Sequence, residues 1–486
     1  MHAMTRAIML QGTGSDVGKT VLVAGLCRLA RNRGLKVKPF KPQNMSNNAA
    51  VADDGGEIGR AQWLQAFACG VAPSVHMNPV LLKPQSETGS QIILQGKVWG
   101  TAKGRDYQRL KPDLVSAVLQ SYEILKRNAD LIIVEGAGSP AEINLRAGDI
   151  ANMGFATRAN LPVVLVGDID RGGVIASLVG THTILPEEDR QMIAGFIINK
   201  FRGDVSLFDD GIKAVTSHTG WPCFGVVPWL KQASRLPPED SVALDYYQPN
   251  GSGRGKIAVL VLDRIANFDD FDPLRNQAGI ELVMVKAGEH VPDDAALIII
   301  PGSKSTISDL GRLRQNGWEE DILKHNALGR PVLGVCGGYQ MLGQEISDPH
   351  GLEGAPSTVR GLGLLDVVTV MEPEKAVRNV DAYSNALDAR IKGYEIHIGQ
   401  TSGSDCVRPF SIAGDHGDGA VSEDGRVMGT YLHGLFGSDE FRAKFLRSLG
   451  FNAGASDYWA GVDAALNEIA AHLDELGLGA VLNAAR

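Results

Sequence analysis

The chain predicts an α/β protein of two domains, each a mainly parallel sheet flanked by helices, and three features carry that reading. Short, continuous apolar runs recur along it with helical patterns between them, as strands buried on both faces of a parallel sheet do. A glycine-rich loop follows the first run and a glycine-flanked cysteine follows a later one, each just before a helical pattern. Between the two halves, KQASRLPPEDSVALDYYQPNGSGRGK at 231–256 interrupts every periodicity with paired prolines and then Gly251, Ser252, Gly253 and Gly255.

The first domain is expected over 1–245, with strands at 8–10, 131–134, 163–166 and 193–198, followed by a linker at 246–256. The second is expected over 257–450, where the pattern restarts at 257–262 and continues at 281–285, 297–300, 332–335 and 427–432. In the remaining 451–486, Trp459, Val462, Leu466, Ile469, Leu473 and Leu476 alternate spacings of three and four after Ser456 and before Gly477. That is a capped amphipathic helix, expected to lie on the second domain.

Composition narrows the function. A length of 486 residues with 44% hydrophobic content is ample for two cores, and a net charge of −9 argues against a nucleic-acid binder. The five cysteines, at 27, 69, 223, 336 and 406, contain no CxxC pair, so neither structural zinc nor a disulfide framework is expected. No stretch approaches the roughly 18 apolar residues that span a bilayer. The expectation is a soluble protein of the reducing cytoplasm.

Residues 8–20 read IMLQGTGSDVGKT, a strand, a loop and the start of a helix. Backbone N–H groups of Gly12, Thr13, Gly14, Ser15, Asp16, Val17 and Gly18 would cradle the phosphates of ATP, Lys19 would reach the terminal phosphates, and the Thr20 hydroxyl would ligate Mg²⁺. The strict motif has glycine where this chain has Thr13, so the loop is a longer variant. In VEGAGSP, Glu135 ends a buried strand, where a carboxylate needs a cation; it is the preferred protein ligand to Mg²⁺. In DDGGEIGRAQWLQA, Glu57 at the head of a helix is favoured over Asp53 and Asp54 as a further metal ligand. Asp168 and Asp170 of GDIDRGGV fall at the carboxyl edge of the sheet, where a ligand contact and a structural role are both open. The loop spacing resembles dethiobiotin synthetase and its relatives, which activate a carboxylate with ATP. That resemblance implies that Lys41 of KPFKPQN reaches the phosphates and that Asn199 of INKFRGD reads adenine.

Residues 331–343 read PVLGVCGGYQMLG and place Cys336 at a strand-to-helix elbow, where the helix dipole favours a thiolate and Gly334, Gly337 and Gly338 permit a tight turn. The strand VMGTYLHGLF delivers His433 as base, and PGSKST at 301–306 offers the N–H groups of Gly302 and Ser303 for an oxyanion, together with that of Gly337. Cys27, Cys69, Cys223 and Cys406 have no such setting. These segments resemble the triad-type class I glutamine amidotransferases, which release ammonia through a cysteine thioester. The family's third member is a glutamate two residues past the histidine; here Leu435 stands there. Another group must orient His433, or none does, and Glu395 or His397 of GYEIHIG are candidates beside a structural role.

The two halves together, with KPFKPQNMSNNA, EIGRAQ, MNPVLLKP, GSQIILQG and GDIDRGGV, resemble the corrinoid amidating enzymes, and among them cobyric acid synthases more than cobyrinic acid a,c-diamide synthases. The resemblance implies ATP-dependent amidation of the b, d, e and g carboxylates of adenosylcobyrinic acid a,c-diamide through acyl phosphates. Its partners would be glutamine and a corrinoid carboxylate substrate, with a homo-oligomer left open, and an interface closing over both sites would shield ammonia. Gln43, Asn44, Ser46, Asn47 and Asn48 form either a surface for the corrin or a loop held by its own side chains. A ParA-like ATPase switch would account for the first domain but leaves Cys336 and His433 unexplained.

Overall fold

The computed structural model describes residues 5–85, 89–239, 244, 255–454 and 456–486; the expected linker at 246–256 lies, up to residue 254, outside the described residues. The first sheet comprises β1 (Arg6–Gly12), β2 (Val37–Phe40), β3 (Leu131–Glu135), β4 (Val163–Asp168), β5 (Ile193–Phe201) and β6 (Cys223–Pro228), ordered β6-β5-β4-β1-β3-β2. Every pairing is parallel. Because both faces are covered, β1, β3 and β4 are buried almost throughout, which is why they read as unbroken apolar runs. Helix α1 (Lys19–Asn32) leaves the carboxyl end of β1 and covers one face.

In the second sheet, β7 (Gly255–Leu260), β8 (Ile280–Val285), β9 (Ala295–Ile300), β10 (Val332–Val335), β11 (Ala420–Val421) and β12 (Val427–Thr430) are ordered β8-β7-β9-β10-β12-β11. All are parallel except the edge strand β11. Helix α2 (Gly337–Leu342) leaves β10 at Cys336. A long antiparallel hairpin, Val367–Ser384 with Ala389–Gly403, carries a register shift between Met371 and Ala376.

Helix α3 (Tyr458–Glu475) corrects one expectation: it lies on the first domain, not the second. Its Val462, Leu466, Ile469 and Leu473 share one apolar cluster with Leu22, Val23, Leu26 and Leu29 of α1. Gly25 of α1 makes the approach close enough that a Cβ there would sit 2.7 Å from both Ile469 and Leu473. Asp463 and Asp474 add ion pairs to Arg28 and Arg33 at 2.7 and 2.5 Å. An amphipathic stripe states that one face is buried, not which surface buries it. The cap also differs, since Asp457 rather than Ser456 accepts the N–H of Ala460.

The halves meet through buried charge. Arg60 pairs with Asp269 at 2.6 Å, Ala49 N–H donates to Asn267 Oδ1 at 3.0 Å, and Glu57 of the first domain bonds Lys375, which the irregular stretch of the hairpin carries.

Candidate active sites

The loop between β1 and α1 wraps its own lysine. Lys19 Nζ lies 3.3 Å from the Gly14 carbonyl and 3.4 Å from that of Gly138, and a Cβ on Gly12 would sit 2.8 Å from it. Burial pushes the Lys19 pKa down, while Glu135 resists. Gly18 adopts φ +90° at the helix start, where a side chain would be strained and would strike the Asn199 amide. Asn199 itself donates to the Val17 carbonyl at 2.8 Å and so braces the loop, while Thr13 N–H donates to Val166 at 2.9 Å.

Four side chains gather beyond the loop. Thr20 Oγ1 donates to Glu135 Oε1 at 2.8 Å, Lys41 Nζ reaches the same oxygen at 2.9 Å, and Glu239 accepts from both Thr20 and Lys41 at 2.5 Å. Glu135 is fully buried, and Gln65 donates to its other oxygen at 2.5 Å. Burial opposes the Lys41 charge, but Glu135 and Glu239 outweigh it and hold its pKa above the ordinary lysine value. The hydroxyl and two carboxylates are hard oxygen donors of the kind Mg²⁺ accepts, and the Lys41 ammonium stands among them as a compensating cation. Glu239 was missed by sequence reasoning, since it follows paired prolines in a stretch read as interdomain. A cavity of about 680 Å³ opens over this cluster; Gln43, Asn44 and Met45 line it, as does Arg275 of the second domain.

Glu57 is not in this group. Its two oxygens are held by Lys83, at 2.8 Å, and Lys375, and those lysines keep its pKa low, at about 2, against the opposing effect of burial. With both oxygens engaged away from Thr20, it belongs to the domain interface rather than to a metal site. Asp168 and Asp170 do lie at the end of β4, but they pair with Lys200 at 2.9 Å and Arg202 at 2.5 Å. In the polar run, Asn44 bonds Gln62 at 3.0 Å and Ser46 bonds the Glu239 carbonyl at 2.9 Å, so much of it is held locally.

At the second site Cys336 sits at φ +52°, a left-handed conformation that costs a non-glycine residue about 1–3 kcal/mol, and its buried side chain lines a small cavity. Gly334 and Gly338 make the elbow possible, since a Cβ on the latter would come within 2.0 Å of the Ile300 carbonyl. The Cys336 thiol donates to the Ile396 carbonyl at 3.6 Å, and Cys336 and His433 line one cavity. Gly302 lies against that ring, with room for no side chain: a Cβ would be 2.9 Å from Cε1. Ser303 N lies 3.0 Å from where a Cβ on Gly337 would be, so two of the three expected oxyanion donors, Ser303 and Gly337, are neighbours, and Ser303 lines the same cavity as Cys336.

The group that orients His433 is Asp270. Its Oδ2 is 2.6 Å from Nδ1 and its Oδ1 accepts the Gly434 N–H at 2.7 Å. Burial disfavours the imidazolium, but Asp270 and the Cys336 sulfur overcome it and push the His433 pKa up to about 10. Glu395 and His397 do not fill this place. Glu395 pairs with Arg378 at 2.8 Å, and His397 stacks on Tyr431 at 3.7 Å between centroids. Leu435, where the family's glutamate would be, is buried in the core. The signal for Asp270 was the run NFDDFD, in which acids sit between aromatic residues directly after a buried strand.

This stretch also joins the two sites. Asn267 and Asp269 hold Ala49 and Arg60 of the first domain, Asp270 holds His433, and Arg275 faces the phosphate-loop cavity.

The CobQ/CobB/MinD/ParA nucleotide binding domain matches residues 8–242, and the CobB/CobQ-like glutamine amidotransferase domain matches residues 256–441. The cobyric acid synthase of Allorhizobium ampelinum is 69% identical over 473 residues, covering 97% of this chain and 98% of its own. That of Sinorhizobium fredii is 67% identical over 482 residues, covering 99% of each chain, and that of Brucella suis biovar 1 is 66% identical over 471 residues, covering 97% and 98%. A nucleotide-binding half and a glutaminase-type half in this order, with such identity over nearly the whole length, show that the chain belongs to the cobyric acid synthase family.

Proposed function

We propose that the protein amidates the b, d, e and g carboxylates of adenosylcobyrinic acid a,c-diamide, with ATP and glutamine, in cobalamin biosynthesis. The observation that carries the proposal is one stretch, 267–275, that supports the Cys336–His433 pair and faces the phosphate-loop cavity at once. Two coupled sites are what amide synthesis from a carboxylate and glutamine requires.

At the second site the Cys336 sulfur attacks the carboxamide carbon of glutamine. The Ser303 and Gly337 N–H groups receive the oxyanion, and His433 gives its proton to the departing ammonia. Water then attacks the thioester, His433 takes its proton, and glutamate leaves. Asp270 holds the imidazole in the tautomer and orientation both steps use. At the first site a carboxylate oxygen of the corrinoid attacks the γ-phosphorus, ADP departs, and ammonia displaces phosphate from the acyl phosphate. Lys19 and the loop N–H groups hold the phosphates. Thr20, Glu135 and Glu239 are the residues that would hold Mg²⁺, which supplies neutralisation of phosphate charge. The 680 Å³ cavity, partly walled by Arg275, has room for a large anionic substrate. A cytoplasmic setting provides ATP and glutamine together.

The test is mass spectrometry of the a,c-diamide incubated with enzyme, ATP, Mg²⁺ and either glutamine or ammonia, for wild type and Cys336→Ala. Four successive losses of about one mass unit, with the variant active on ammonia alone, support the reading. An unchanged corrinoid while ATP and glutamine are consumed refutes it.

A further inference from the structure

The cavity beside Cys336 is lined on one side by charge: Lys83 from the first domain and Lys304, Glu353 and Lys375 from the second. Lys83 and Lys375 share Glu57, one on each oxygen. Lys304 directly follows the oxyanion residue Ser303 and is only 9% exposed. Among the described residues its ammonium has no hydrogen-bond partner, although its main-chain N–H donates to the Arg264 carbonyl at 2.9 Å. Burial, with Lys375 and Lys83 nearby, pushes its pKa down to about 7. A cation held so deep without a bonded counter-ion is costly, and an anionic ligand would relieve that cost.

Glu353 completes the group. Its carboxylate accepts the Ile307 N–H at 3.0 Å, at the start of the helix Thr306–Gln315, and burial raises its pKa. A carboxylate so placed holds one anionic charge inside the same cavity as the unbonded Lys304 ammonium. Glutamine carries the complementary pair, a carboxylate and an ammonium on one carbon, separated from its reacting amide by two methylenes.

We propose that this cluster recognises the amino-acid end of glutamine, Lys304 taking the α-carboxylate and Glu353 the α-ammonium. The inference rests on the reading of Cys336 as the glutaminase nucleophile. Lys375 forms the second cationic wall and is held in place by Glu57 of the first domain. The glutamine site is therefore composite, and Glu57, which the sequence suggested as a metal ligand, acts through Lys375 and Lys83 as a positioning residue. The free space is about 50 Å³, so glutamine enters by displacing the end of the unbonded Lys304 side chain, which is long and flexible.

Glutaminase kinetics of the full chain with glutamine, glutamine α-methyl ester and glutaramate, which lacks the α-amino group, test the assignment. Lys304→Met should raise KM for glutamine by roughly 10- to 100-fold with a smaller change in kcat, as loss of a charge-assisted hydrogen bond does. It should also abolish the preference for glutamine over the ester, while Lys304→Arg keeps part of it. Glu353→Gln should abolish the preference over glutaramate. A Lys304→Met protein with a native melting midpoint that still prefers glutamine over the ester overturns the proposal, and so does an equal loss on both substrates. Cys336→Ala that still hydrolyses glutamine overturns instead the assignment of the nucleophile on which the proposal rests.

Discussion

Replacing Asp270 by asparagine removes one charge and leaves the side-chain shape. Asp270 and His433 are both buried, 2.6 Å apart, and the imidazole pKa stands at about 10 where 6.5 is ordinary. The difference amounts to roughly 4–5 kcal/mol of preference for the charged ring, supplied by Asp270 and the Cys336 sulfur against burial. If Asp270 supplies about half, its loss removes roughly 2–3 kcal/mol and lowers glutaminase kcat/KM by about 30- to 150-fold. Stability should respond too. A histidine whose folded pKa is raised stabilises the fold fully below pH 6.5, and that contribution fades as pH climbs through about 10. Wild type should therefore lose melting temperature across this window more steeply than Asp270→Asn. The assay is steady-state glutaminase activity against pH, with ammonia-supported amidation as the reference for an intact first site. A variant with unchanged kcat/KM and an unchanged pH profile would refute the role given to Asp270.

Arg60→Met strands Asp269 in the interface, and loss of one partner of a buried pair should destabilise by about 3–5 kcal/mol, read as a lower denaturant midpoint. Because Asp269 adjoins Asp270, glutaminase should fall in the same variant. Glu239→Gln weakens the oxygen cluster at Thr20 and should raise the Mg²⁺ concentration for half-maximal amidation several-fold, while glutamine hydrolysis persists. Gly25→Val forces α3 off α1 and should cost about 1–3 kcal/mol by thermal melting. An unshifted midpoint would mean that α3 does not rest there.

The two reactive elements were legible because each is local. A phosphate loop and a strand-to-helix elbow are written in a dozen consecutive residues, and the φ of +52° at Cys336 follows from the glycines beside it and the strand before it. The same holds for the strands, whose unbroken apolar runs report burial on two faces. His433 was legible as the polar residue ending a buried run.

Partners in space were not legible. Asp270 lies 163 residues before His433, and nothing in NFDDFD states which acid turns inward or what it meets. Glu57 shows the same limit in reverse. Its position at the head of a helix suggested a metal, but Lys375, 318 residues away, neutralises it across the interface. Glu239 reaches Thr20 over 219 residues of chain. The sequence by itself determined the element types, the two chemical groups and the family. Only the tertiary structure decided which carboxylate serves which cation and which domain receives α3. The physical reason is range: backbone geometry and periodicity depend on neighbours in the chain, whereas a buried charge is settled by whichever opposite charge the folded surfaces bring within a few ångströms.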